Sequence, residues 1–94
     1  MSGVTMSSVK VIRVSTKTPV PQLAGSIVIS VESGDNVELK AVGAGAVNQM
    51  YKGLASARGI LANKGKDLLI RPGFDEVVDG DTKKTLMVAR VIMQ

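Results

Sequence analysis

Residues Val37–Gly59 read VELKAVGAGAVNQMYKGLASARG. Val37, Leu39 and Ala41 alternate with Glu38 and Lys40, which predicts a strand over Val37–Val42 with one face buried and one wet. Gly43-Ala44-Gly45 then predicts a tight loop, and Val47, Met50, Tyr51, Leu54, Ala57 and Leu61 recur at helical spacing behind it. Strand, glycine loop and helix N-terminus together present backbone N–H groups to an anion. The plainer alternative for the glycines is a turn that needs positive φ.

Working outward, VKVIRVST (Val9–Thr16) predicts a strand buried on both sides, with Ile12 and Val14 on one face and Val9 and Val11 on the other. Thr18 is the expected N-cap of a first helix, with Pro19 in its first turn. Val20, Leu23, Ala24, Ile27, Val28 and Val31 form its apolar stripe, and Ser33-Gly34-Asp35 ends it. Asn63-Lys64-Gly65 supplies the stop of the second helix, and Gly53 inside that helix predicts close packing against a neighbouring backbone. DLLIRPGF (Asp67–Phe74) predicts a third strand broken near Pro72-Gly73, and Asp79-Gly80-Asp81 a hairpin turn into a final strand over Lys83–Met93. Residues 1–8 have no periodicity and read as a disordered lead-in, leaving 9–94 as a single domain.

The order is βαβαββ, an α/β chain of the α+β two-layer sandwich kind, with a mixed four-stranded sheet and two helices on one face. The first and last strands are apolar on both sides, so the uncovered sheet face is expected to pair with another copy as a homodimer.

The chain has 94 residues, 45% of them hydrophobic, yet Tyr51 and Phe74 are its only aromatics. The core is therefore aliphatic, and stacking platforms for single-stranded bases are not expected. With no cysteine and no histidine, disulfides, thiol catalysis and a neutral-pH proton shuttle are excluded. No Ser-His or clustered carboxylate arrangement occurs, so neither an enzyme nor a metal or cofactor site is expected. MSGVTMSSV has neither a charged n-region nor an apolar h-region, and no run approaches a membrane span, which makes cytoplasmic the expected location.

Net charge is +4, but Asp75, Glu76, Asp79 and Asp81 are half of all the acids and share one short segment without Lys or Arg. A basic body thus carries an acidic tip, a charge balance that suits a polyanion partner or, more plainly, a solvated surface.

Parallel strands put their C-terminal ends on one edge, which makes the loops after the first and second strands neighbours. Lys17, Thr18, Gly43, Ala44, Gly45, Asn48, Gln49 and Lys52 are expected to meet there, joined by Arg58, by Arg71 from the third strand, and by Lys83 and Lys84 from the fourth. Lys and Arg beside helix N–H groups suit phosphate contacts. Local capping is the plainer role for Asn48 and Gln49. A dinucleotide fingerprint does not fit, because Asn48 stands where a third glycine is needed.

The run AVGAGAVNQMYKGLASARG, preceded by VIRVSTKTPVPQLAGSIV and followed by DLLIRPGF and DGDTKKTLMVARV, resembles the stage V sporulation protein S family from Val9 to about Ile92. That family is similar in fold to the Alba chromatin proteins and to the C-terminal domain of translation initiation factor three, which implies the βαβαββ layer and a homodimer. In Alba proteins a lysine between the first strand and first helix touches nucleic acid, and the resemblance puts that role on Lys17. Position 18 is Thr rather than a second lysine, and the hairpin that Alba proteins lay along DNA is here the acidic Asp75–Asp81 segment. Contact is therefore expected at the rim, without insertion of that arm into a groove.

The expectation is a homodimeric nucleic-acid-binding regulatory protein, contacting the backbone of DNA or RNA with little sequence specificity, in sporulation or cell-development control. The alternative is a protein-interaction module that docks a partner through the open sheet face or the acidic hairpin. A small anionic ligand held by the glycine loop is a third possibility.

Overall fold

A computed structural model describes residues 9–94, and the expected lead-in over 1–8 lies outside the described residues. The elements are β1 (Val9–Val14), α1 (Val20–Glu32), β2 (Asn36–Ala41), α2 (Ala44–Ala62), β3 (Leu68–Asp79) and β4 (Thr82–Met93). They form one sheet of order β1-β2-β4-β3, in which β1 and β2 are parallel and β4 runs antiparallel to both of its neighbours. The two helices pack against each other and both touch β2, giving a slab 18 Å thick in its shortest dimension, one helix layer on one sheet.

Alternation in β2 holds as expected: Val37, Leu39 and Ala41 face the helices and are buried. Leu23, Ala24, Ile27, Val28 and Val31 of α1, and Met50, Leu54, Ala57 and Leu61 of α2, close over them, so the core is aliphatic throughout. Gly53 marks a close approach of the two helices. A Cβ there would stand 2.7 Å from Leu23 Cγ, so the close neighbour is a side chain rather than the expected backbone.

Several local expectations change. β1 is an edge strand rather than one buried on both sides: Val9 and Val11 are 51% and 44% exposed, because the helices cover only the opposite face. Pro19, not Thr18, holds the N-cap position of α1. Thr18 instead closes the preceding turn, its Oγ1 accepting the Ser15 N–H at 2.8 Å. Gly43-Ala44-Gly45 is not a loop, since α2 begins at Ala44 with Gly43 as its N-cap at φ 90°. Tyr51, placed on the buried stripe by its spacing, is 64% exposed.

β3 runs unbroken through Pro72-Gly73 in continuous register with β4. The proline is tolerated because β3 has no second neighbour and needs no ladder donor on its outer side. Gly80 and Asp81 make the hairpin turn between the paired Asp79 and Thr82, with positive φ at Gly80 only, the type II′ pattern. β2 ends at Ala41, opposite Met87, so the part of the β3–β4 ribbon beyond Met87 projects about 17 Å past the sheet at strand rise.

Candidate nucleic-acid interface

The β1–α1 turn and the start of α2 are joined by two contacts. Gln49 Nε2 donates to the Thr18 carbonyl at 2.9 Å, and a Cβ on Gly45 would lie 2.6 Å from Thr16 Cγ2, a gap that only glycine leaves open. Lys17, between those two anchor residues, is thereby held beside the first turn of α2. The first intrahelical donor of that helix is Val47 N–H, bonded to the Gly43 carbonyl, and the N-cap carries no side-chain bond. The N–H groups of Ala44, Gly45 and Ala46 therefore lie ahead of the helical ladder at its positive end.

Electrostatics sharpen this edge. From Leu39 to Lys66 the chain has no Asp or Glu. At the other end of the molecule Glu32 pairs with Lys64 and Lys66, and Asp67 with Arg58 at 2.8 Å, while Glu76, Asp79 and Asp81 lie on the ribbon that projects past this end of β2. The Lys64 contact holds the Glu32 carboxyl below its ordinary value. The Leu68 N–H and then Arg58 do the same for Asp67. Lys40, followed by the Glu76 N–H, lowers Asp75. Lys17 and Lys52 have no carboxylate within 4 Å among the described residues.

Lys17, Thr18, Gly43, Ala44, Gly45, Asn48 and Gln49 thus meet at one edge, and Lys52 lies about 12 Å along α2 from Ala44. Gln49 is occupied by the Thr18 carbonyl, which makes it a positioning residue rather than a free amide. Asn48 and Lys52 are exposed one turn apart on α2.

The other four expected members of the rim are elsewhere. Arg58 lies about 21 Å along α2 from Ala44, paired with Asp67. Lys83 and Lys84 are on the projecting ribbon, about 10 to 14 Å beyond the Met87 level where β2 ends. Arg71 is on β3 level with Glu38, on the sheet face away from the helices.

That open face is mixed, with exposed Val9, Val11 and Leu69 beside charged side chains. It carries Arg90–Glu38 at 2.6 Å and Lys40–Asp75 at 2.8 Å, the latter spanning β4. Exposed apolar side chains also lie on the helix side, where Tyr51, Ile70 and Pro72 border a groove of about 530 Å³ between α2 and β3, and Phe74, 76% exposed, follows on the same face of β3. Arg13 and Arg90 of the open face were missed from sequence. Arg90 had a usable signal: a two-residue turn pairs Asp79 with Thr82, and counting back along both strands sets Arg71 opposite Arg90.

Fold and edge together define a small α+β protein of Alba-like architecture with a cationic rim at the parallel strand ends. The solved structure of Alba from Thermoplasma volcanium superimposes with a TM-score of 0.59 over 90% of this chain and 99% of that one at 14% identity, a likeness of fold. The model of the Stage V sporulation protein S (SpoVS) family matches residues 10–94, and the chain belongs to that family. Among the described residues no helix is long and apolar enough to cross a membrane, and no group of three potential acidic, His or Cys ligands could hold a metal.

Proposed function

We propose that the protein is a non-catalytic nucleic-acid-binding regulator in sporulation or cell-development control, gripping the phosphate backbone with little sequence preference. The observation that supports this reading is the tethering of the turn that carries Lys17 to the uncapped start of α2, through Gln49 on Thr18 and Gly45 against Thr16. A cation carried on that turn and oriented N–H groups can then act on the same phosphate, and neither reads a base edge. Lys52 and Asn48 extend the contact along the helix.

Fluorescence anisotropy against DNA and RNA at several salt concentrations tests it. The log-log slope should change by about 0.7 to 0.9 per phosphate contact. Lys17→Glu should weaken binding at least tenfold and flatten the slope, whereas Lys10→Glu, at the far end of β1, should have little effect. An absence of binding at low salt sinks the proposal.

The same reading takes the protein as a homodimer. Support comes from the α2–β3 groove and the exposed Tyr51 and Phe74 beside it, a surface of obligate-interface character. Sedimentation velocity should give twice the monomer mass, reverting to one in Tyr51→Glu. A wild-type monomer at tens of micromolar would remove the dimer while leaving the rim untouched.

A further inference from the structure

On the open face of the sheet, two cross-strand rows are set by the register. One holds Val11, Glu38, Arg90 and Arg71, and the other Arg13, Lys40, Val88 and Gly73. Arg71 and Arg90 are therefore direct cross-strand partners of like charge, an arrangement that is ordinarily destabilising. The one carboxylate in the row, Glu38, is bonded to Arg90, and Arg71 has no acidic partner within 4 Å among the described residues.

Gly73 lies two residues further along β3, on the same face. Its φ is not in the positive region, and a Cβ there would meet nothing within 4 Å, so neither backbone conformation nor packing calls for glycine. Glycine in a strand interior weakens the strand and marks a place where another group approaches the backbone. Here it opens a notch of about 240 Å³, floored by Val88 and walled by Arg71, Arg90, Lys40, Glu38 and Asp75. Three cations face two anions, which leaves one positive charge uncompensated.

We propose that this notch is a phosphate-binding site, separate from the rim, in which Arg71 and Arg90 clasp one singly charged phosphate group over Gly73. The forked donors of two guanidiniums match phosphate oxygens, and the surplus charge matches a phosphodiester or a monoanion. The phosphate belongs either to a nucleic-acid backbone or to a small phosphorylated molecule. The site stands on the open-face geometry and does not depend on binding at the rim.

The test is an NMR titration with inorganic phosphate, at ionic strength held constant with chloride. Saturable shifts are expected at the Gly73 and Val88 amides and at the Arg71 Nε–H signal. Gly73→Val, which fills the notch with a good strand former, and Arg71→Gln, which leaves no carboxylate unpaired, should each weaken the response at least tenfold in a folded protein. Lys17→Glu should leave it intact.

A short oligonucleotide separates the sources. Movement of the Gly73 signals identifies a backbone phosphate, whereas movement of the Lys17 and Asn48 signals alone, with the inorganic phosphate response retained, identifies a small ester. Shifts no larger with phosphate than with chloride, shifts that survive Gly73→Val, or shifts that vanish in Lys17→Glu overturn the proposal.

Discussion

Gly53 and Gly59 occupy one helix, α2, and have opposite environments. A Cβ on Gly59 meets nothing within 4 Å, while one on Gly53 runs into Leu23 of α1. Gly59→Ala should therefore gain the ordinary helix preference of about 0.5 to 1 kcal/mol and raise the melting temperature by about 4 °C. Gly53→Ala gains the same preference but must displace Leu23, an overpacking cost of about 1 to 3 kcal/mol, so its melting temperature should fall. Thermal denaturation of both variants is the check, and a rise for Gly53→Ala would refute the close approach of the helices. Sequence singles out Gly53 for close packing; the partner across the interface, Leu23, is what the structure adds.

At the scale of elements, the decisive joint is between the β1–α1 turn and the start of α2. Gln49→Ala removes its one side-chain hydrogen bond and should cost about 1 kcal/mol of stability. If, as proposed, Gln49 serves nucleic-acid binding by tethering the Lys17 turn, the variant should lose several-fold in nucleic-acid affinity while its salt slope stays unchanged. A flattened slope would make Gln49 a direct contact. Much at this scale was legible beforehand. Periodicity fixes both helices and β2, and Gly80-Asp81 fixes the hairpin, since these are local signals. What failed was non-local. Pro72 looks like a strand breaker until β3 is known to be an edge, and Val9 and Val11 look buried until β1 is known to be one. Arg71 was assigned to the rim because its height depends on how far β4 slides along β2, a register that no turn sets. Arg58 was misassigned for a related reason, its partner Asp67 lying beyond the helix end.

For the whole molecule, charge pairing predicts a one-sided pH profile. Glu32, Asp67 and Asp75 all titrate below their ordinary values, through Lys64, the Leu68 N–H and Lys40 respectively. A carboxylate with a depressed folded pKa contributes stability that is present above its unfolded value, near 4, and is lost as pH falls through the folded one. The chain has no histidine or cysteine, the side chains whose ordinary values fall between about pH 5 and 9. Chemical denaturation should therefore give a flat stability from pH 5 to 9 and a decline below about 4, shallower in high salt because the pairs are exposed. A transition near pH 6.5 would contradict it. The strand order carries a different consequence. β4 lies between β2 and β3 although it follows both in the chain. On the ribosome, β2 keeps one bare edge and β3 has no partner at all until the residues after Asp81 clear the exit tunnel. Sheet closure is thus a single late event in synthesis, and a chain stalled before Thr82 presents an unpaired central edge to whatever strand it meets first.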